Sequence, residues 1–215
     1  VEDTKDGKYR WFPCNSGGEY RKWATNNEYI VDWQNNGARI KGFRNNAGKL
    51  AARPQNTLYY FKTGITWNKL STSKFAAKYK PLGFIYDDTS RSAFMENENK
   101  AYYLLGFLCS VVCLNYLKIL NPTMSFTNND LERLPVIIDT YSENKVINLV
   151  KQNIKLSQIE WDSSEFSWDF NRHPFLIHNS SIRLLDSFVH WESFTTNQFN
   201  QLKSNEEELN RIFIE

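Results

Sequence analysis

Between residues 8 and 100, short β-branched and aromatic runs alternate with clusters of turn-forming residues, a pattern of strands. Tyr29-Ile-Val-Asp-Trp33, Leu58-Tyr-Tyr-Phe61 and Gly83-Phe-Ile-Tyr86 read as strands. They are bounded by Asn35-Asn36-Gly37, Asn45-Asn46-Ala47-Gly48, Arg53-Pro54 and Lys80-Pro81, which is turn chemistry. Gly17-Gly18 predicts a tight turn, and the residues after it predict a short helix over 19–26. From residue 100 the period changes. Apolar positions run nearly all round a helix over 100–120, which therefore belongs in the interior, and Asn121-Pro122 stops it. Asn129 or Asp130 caps a turn through Leu134, followed by Pro135-Val-Ile-Ile138. Val146, Ile147, Val150 and Ile154 then mark one helical stripe. A last helix starts near Asn179-Ser180-Ser181 and runs to about Phe213, with Leu185, Phe188, Thr195, Phe199, Leu202, Leu209 and Phe213 at three- and four-residue steps. At 1.5 Å per residue it reaches roughly 50 Å.

This order of elements predicts an α+β protein. A strand-rich domain with a buried helix occupies residues 1–138, and an antiparallel helical region with a long C-terminal helix occupies 139–215. With 215 residues, 41% hydrophobic and 15% aromatic, the chain folds around a real core. Cys14, Cys109 and Cys113 are too few for a disulfide framework, and Cys109 and Cys113, four apart, read as core thiols. The uncharged run 102–114 is shorter than a bilayer requires, and Val1-Glu2-Asp3-Thr4-Lys5 is no signal peptide. A soluble, cytoplasmic protein without a membrane partner is expected. The chain lacks an initial Met and stops in mid-pattern at Ile214-Glu215, so it is expected to be part of a longer protein.

Charge divides the chain more sharply than composition does. Residues 1–100 hold 17 basic and 10 acidic side chains, a balance of +7, while residues 101–215 hold 9 and 14, a balance of −5. From Lys8 to Lys80 there are fourteen cations and only three acids (Glu19, Glu28, Asp32), interleaved with fourteen aromatics. Cations that release condensed counterions and planar rings that stack on bases suit a nucleic-acid partner. Eleven of the cations fall in four groups separated by strands: Arg21/Lys22, Arg39/Lys41/Arg44, Lys49/Arg53, and Lys69/Lys74/Lys78/Lys80. Gln55 and Asn56, Asn45-Asn46 and Asn26-Asn27 offer amides for adenine edges, and Arg44 and Arg53 can address guanine. Most of the aromatics belong to the core, with Trp23 and Tyr79 as the candidates to face a ligand.

Catalytic motifs are sparse. Gly17-Gly18 lacks both the GK[ST] tail and the G-x-G-x-x-G spacing of phosphate loops. Asn121-Pro122-Thr123-Met124 lacks the second proline and the aromatic of the NPPY motif of amino-methyltransferases. Asp87/Asp88 with Glu98-Asn99-Lys100, and Asp139 with Glu143-Asn144-Lys145, have the scattered carboxylates and lysine of a metal-dependent nuclease. About one E-x-K is expected by chance in this composition, and solvated surface charges account for the same residues. No metal site and no catalytic residue is therefore assigned.

Several strings are more specific. Gly17-Gly18-Glu19-Tyr20-Arg21-Lys22-Trp23 with Asn26-Asn27-Glu28-Tyr29-Ile-Val-Asp-Trp33 resembles the opening of the target-recognition region of BREX phage-defence adenine methyltransferases of the PglX type. So do Arg53-Pro54-Gln55-Asn56-Thr57 leading to Tyr59-Tyr60-Phe61-Lys62, Gly64-Ile65-Thr66-Trp67, and Lys78-Tyr79-Lys80-Pro81-Leu82-Gly83-Phe84-Ile85-Tyr86-Asp87. Tyr103-Leu104-Leu105-Gly106-Phe107-Leu108 through Asn121-Pro122-Thr123 to Asp130-Leu-Glu-Arg-Leu-Pro135 resembles the helix and turn that follow. Glu160-Trp161-Asp162, Ser167-Trp168-Asp169-Phe170 and Arg172-His173-Pro174 resemble the next segment. Glu206-Glu207-Glu208-Leu209-Asn210-Arg211-Ile212-Phe213 resembles a final helix shared with single-chain restriction-modification enzymes.

The resemblance implies a parent enzyme that uses S-adenosylmethionine to methylate adenine N6 at a short DNA site. This chain would be its specificity domain and the helices after it, comparable to the specificity subunits of type I restriction systems. Its own residues would hold no cofactor. Its partners would be double-stranded DNA, the catalytic methyltransferase domain of the same parent chain, and other defence-system proteins. The residues expected at the DNA are Arg21, Lys22, Lys41, Arg44, Arg53, Gln55, Asn56, Lys69, Lys74 and Lys78, on a scaffold of Trp33, Tyr60, Trp67 and Phe84. The acidic helical half would be support. A metal-dependent nuclease fragment and a docking module for an acidic protein are the alternatives.

Overall fold

The computed structural model describes residues 7–24, 27–72, 74–177 and 183–215. It is α+β, with two three-stranded sheets and a helical layer. In the first sheet β1 (Trp11–Asn15) lies between β2 (Tyr29–Asp32) and the two-residue β5 (Ile85–Tyr86). β2 pairs antiparallel, with Phe12 opposite Val31, and β5 parallel, with Cys14 opposite Ile85. α1 (Gln34–Lys41) follows β2. In the second sheet β3 (Gly64–Asn68) lies between β4 (Ala77–Lys80) and β6 (Ser90–Ala93), both antiparallel to it. β3 is buried from Gly64 to Trp67, as a central strand covered on both faces should be.

Alternation along β3 sends Ile65 and Trp67 to the face covered by α2 (Glu98–Leu108). They join Leu105 and Leu108 of α2, Cys113 and Leu117 of α3 (Val111–Leu120), Val146 and Val150 of α5 (Glu143–Asp162), and Leu209 of α7 (Leu184–Ile214) in the larger core. α2 and α5 approach closely because Gly106 has no side chain: a Cβ there would meet Val146 Cγ1 and Val150 Cγ2 at 3.0 Å. The smaller core, under the first sheet, consists of Trp33, Tyr60, Phe61 and Ile85. α4 (Asn128–Glu132) and α6 (Pro174–Ile177) are short connectors. No single described helix is long and apolar enough to cross a membrane.

Four local expectations are corrected. Residues 19–24 are not helical: Trp23 extends along β4, its amide donating to Ala77 O (3.1 Å) and its carbonyl accepting from Tyr79 N (2.7 Å). An open sheet edge here offers the backbone more than one isolated helical turn could. Leu58–Phe61 does not form a strand, because Thr57–Tyr59 is a 3₁₀ turn entered and left through left-handed backbone at Asn56 (φ 53°) and Phe61 (φ 66°). The helix expected over 100–120 is two helices bent by 71°. Ser110 breaks it: its hydroxyl donates to Phe107 O (2.6 Å) and accepts from Cys113 N (3.3 Å), ending one helix and capping the next. α4 is capped by Thr127, not by Asn129 or Asp130. Asp130 is the reciprocal member of the capping box, accepting the Thr127 amide at 2.8 Å. The cap residues expected for the last helix, 179–181, lie outside the described residues. The helix itself runs Leu184–Ile214.

Cys14, Cys109 and Cys113 are all buried, and burial pushes the first two up to about 11 and about 12 and raises the third as well. The thiolate is the reactive form. At pH 8, iodoacetamide is therefore expected to leave all three unlabelled in the folded protein and to label all three in urea, as read by mass spectrometry. Native labelling at the denatured rate would contradict this burial.

Candidate nucleic-acid interface

After Trp33 the chain passes through three left-handed residues, Asn35 (φ 50°), Asn36 (φ 57°) and Gly37 (φ 69°), a sequence of types that tolerates this backbone. α1 then leads into a β-ribbon over 43–51. Its strands are joined by an Arg44–Leu50 bridge and by Ala51 N donating to Phe43 O at 2.9 Å. Its turn is the Asn45-Asn46-Ala47-Gly48 expected from sequence, with Asn45 Oδ1 accepting the amides of Ala47 and Lys49 at 3.0 Å each. Residues 41–51 are exposed throughout and carry Lys41, Arg44 and Lys49 beside exposed Phe43 and Leu50.

The ribbon springs from the edge of a cavity of about 670 Å³, which Ile40 lines where the chain leaves and Arg53 where it returns. Arg53, Pro54, Gln55 and Asn56 form one side of this opening, and Arg91 and Ser92 of β6 contribute to the lining. Aromatic rings make up much of the rest. Tyr59 stacks on Phe94 (5.0 Å, 25°), Tyr86 lies 5.7 Å from Phe94, and Trp33 and Tyr86 each meet Tyr60 edge-on at 5.0 Å. Burial pushes the Tyr60 phenol up to about 12, so it stays neutral at any ordinary pH. The carboxylates in the lining are already engaged. Asp87 accepts from Thr89 and Ser90 amides (2.9 and 3.2 Å) and from Ser16 (2.7 Å), and Asp88 pairs with Lys69 (2.7 Å) and Arg91 (3.3 Å), which hold it below the usual carboxylate range.

The ten residues expected at the DNA separate into two sets. Lys41, Arg44, Arg53, Gln55 and Asn56 lie together on the ribbon and the cavity rim, and Lys69 stands near the same cavity through Asp88. Lys74 is exposed on the connection before β4. Lys78 is buried, and Arg21 and Lys22, though partly exposed, are paired with carboxylates of the helical half. The Arg21 guanidinium pairs with Glu160 (2.5 Å) and sits 4.9 Å over the Trp161 ring. Lys22 pairs with Glu206 (2.9 Å), whose other oxygen accepts from Trp23 Nε1 (2.7 Å). Burial works against the charge of Lys22, but Glu206 more than offsets it and raises its pKa. Lys78 is 3% exposed, and burial, with Arg21 nearby, lowers it to about 8. Lys80, also buried, donates to Lys62 O (2.6 Å) and Phe84 O (2.8 Å). These cations join the strands to α5 and α7 or fill the interior.

Of the two aromatics expected to face a ligand, Trp23 is buried, whereas Tyr79 is half-buried and engaged within the fold. Trp23 is 2% exposed, and Tyr79 donates to Glu98 (2.8 Å) and stacks on Tyr102 at 5.5 Å. Sequence reasoning missed Arg91 and the Tyr59–Phe94–Tyr86 wall. The Ser-Arg-Ser-Ala alternation of 90–93 was the available signal for a strand with one inward cation.

The carboxylates of the nuclease reading do not converge. Glu98 accepts from Tyr79 and Tyr102, Asp139 caps the turn into α5 through the Tyr141 and Ser142 amides, and no three metal-ligating side chains cluster among the described residues. Asn121 is spent on its own turn, donating to Ser125 O and Asp130. Gly17-Gly18 forms no cofactor cradle either. Gly17 N donates to Thr89 Oγ1 (2.7 Å) and Gly18 O accepts from Asn68 Nδ2 (2.6 Å), so its backbone is used within the fold. Neither Gly17-Gly18 nor Asn121-Pro122 therefore offers the free backbone or side-chain groups that a cofactor or target base would need there.

No protein-family model matches the chain. It is 34% identical over 210 residues, 95% of its length, to the adenine-specific methyltransferase PglX of Lacticaseibacillus casei (strain Zhang). It is 31% identical over 211 residues, 97% of its length, to the adenine-specific methyltransferase BrxX of Escherichia coli O9:H4 (strain HS). The chain spans 17% and 16% of these two relatives, about one sixth of each. The similarity thus runs along nearly all of this chain and a small segment of each relative.

Proposed function

We propose, taking as premise that this chain is kin to one segment of the BREX adenine-specific methyltransferases of the PglX type, that it reads the DNA sequence at which such an enzyme acts. The observation that carries this reading is the cationic ribbon 43–51 rising beside Arg53, Gln55 and Asn56 on one exposed rim. Lys41, Arg44 and Lys49 hold phosphates there, which positions the duplex but carries no sequence information. Gln55 and Asn56 supply an amide donor and acceptor side by side, as an adenine edge requires, and Arg53 supplies paired donors for a guanine edge in the major groove. Residues 1–138 do the reading, and residues 139–215 support it and hold it to the rest of the parent. That remainder is a catalytic domain using S-adenosylmethionine to methylate adenine N6 in duplex DNA, in a phage-defence system with other proteins.

A fluorescence titration of labelled duplex with this chain tests the reading. Affinity is expected to fall steeply with salt, and replacing Lys41, Arg44 and Lys49 together by alanine should weaken binding and lower the salt slope by about one per lost phosphate contact. Gln55→Ala should instead leave the slope unchanged and relax preference at one base pair by about 1–3 kcal/mol. No affinity for any duplex at low salt would sink the proposal.

A further inference from the structure

The ribbon and rim account for the outside of the interface but leave the cavity beneath them without a task. Its size, about 670 Å³, lies within the range of small-molecule sites. Its walls are flat: Tyr59 is 43% exposed and stacked on Phe94, with Tyr86 beside that pair. Polar groups border the rings: the amides of Gln55 and Asn56, and the cations of Arg53 and Arg91. Hydrogen-bonding capacity is also held in reserve behind the wall. Trp33 Nε1, Arg91 Nε and Ser92 Oγ, all from lining residues, are three of the six buried side-chain polar atoms without a partner among the described residues. Such groups cost free energy until a partner arrives.

The backbone around the cavity is equally unusual. Four of the five non-glycine residues described with positive φ flank it: Asn35 and Asn36 after Trp33, Asn56 in the lining, and Phe61 after Tyr60. Strain of this kind is retained where a site needs one shape. Phe43 and Leu50, 58% and 61% exposed on the adjoining ribbon, are apolar side chains of the sort that wedge between base steps and unstack them.

We propose that this cavity holds a single nucleobase extruded from the duplex, stacked against Tyr59 and hydrogen-bonded by the rim amides, with Arg91 near its flanking phosphate. The inference rests on the DNA-reading function proposed above and adds a ligand to its site. A planar heterocycle joined to an anionic backbone matches flat walls, edge-reading amides and cations better than any purely apolar occupant would. Extrusion costs least for a base already unpaired, so an unpaired base is the sensitive probe.

The test compares three 30-bp duplexes at low salt with the chain: fully paired, carrying one central bulged adenosine, and carrying a bulged abasic nucleotide at the same place. The adenosine bulge is expected to bind about tenfold tighter than both others, the size of one base–aromatic stack. The abasic bulge separates a stacked base from mere duplex flexibility. Tyr59→Ala should abolish the preference while leaving affinity for the paired duplex, and Tyr59→Phe should retain it. Equal affinity for all three duplexes would overturn the base site and leave DNA reading standing. Tight binding of both bulges alike would also overturn it, and binding of none would remove the function on which it rests.

Discussion

Replacing Glu206 with alanine is expected to destabilise the protein by about 3 kcal/mol, because a buried indole N–H and a largely buried ammonium lose their partner at once. Glu206 on α7 accepts from Lys22 Nζ at 2.9 Å and from Trp23 Nε1 at 2.7 Å, with the Lys22 side chain only 19% exposed and Trp23 2% exposed. Alanine would leave an indole N–H without an acceptor and an ammonium without a counter-charge. Glu206→Gln should cost less, about half as much, since its carbonyl can still accept from Trp23 while the charge is lost. Urea unfolding measures both. For a chain of this size the alanine variant should also lower the Tm by roughly 6–12 °C. A loss below about 0.5 kcal/mol for Glu206→Ala, the range of ordinary surface changes, would show that this contact does not hold the strands to α7.

Gly37→Ala is the second large effect, and it acts on the interface as well as on stability. Gly37 has φ 69°, a backbone costing an L-residue about 1–2 kcal/mol. A Cβ there would also lie 2.6 Å from Cζ3 of the Trp33 ring, which is buried in the smaller core and lines the cavity. The ring must move, so the total is expected to reach about 3–4 kcal/mol. Gly48→Ala separates the two causes. That glycine, in the ribbon turn, has φ 75° but nothing within 4 Å of an added Cβ, so only the conformational cost applies, about 1 kcal/mol. Calorimetry of the two variants gives the comparison. Equal losses would mean that Trp33 is not packed against Gly37.

Local chemistry explains which elements were legible beforehand. Tyr29-Ile-Val-Asp became β2 because a short alternating run next to Asn-Asn-Gly has few other choices. The stripe Val146, Ile147, Val150 is buried on α5, and the Asn45–Gly48 turn closes the ribbon where expected. Misreadings arose where a distant group competed with a local preference. Trp23 left its expected helix for the edge of β4, and Ser110 bent an apolar run that periodicity alone reads as continuous. The Arg53–Asn56 loop was legible as a candidate because proline, amides and arginine occur together. The ring wall opposite it was not, because Tyr59, Tyr86 and Phe94 look like any other core aromatics until the two sheets are set side by side.

By itself, the sequence determined the α+β class, the charge divide between the two halves and the relationship to the PglX-type methyltransferases, since composition, period and short strings are local properties. Only the tertiary structure decided which cations remain available to a partner. Lys22 meets Glu206 across 184 residues and Arg21 meets Glu160 across 139, separations over which no pattern in the chain reveals the pairing. Burial lowers the pKa of Lys78 to about 8, and it is the packing of β4 that buries it. Lys41, Arg44, Lys49 and Arg53 stay at the surface, although Lys41 also lies 5.2 Å over the Trp33 ring and Arg44 donates to Gly48 O at 2.8 Å, because the segment that carries them projects from the sheets instead of packing between them and the helices.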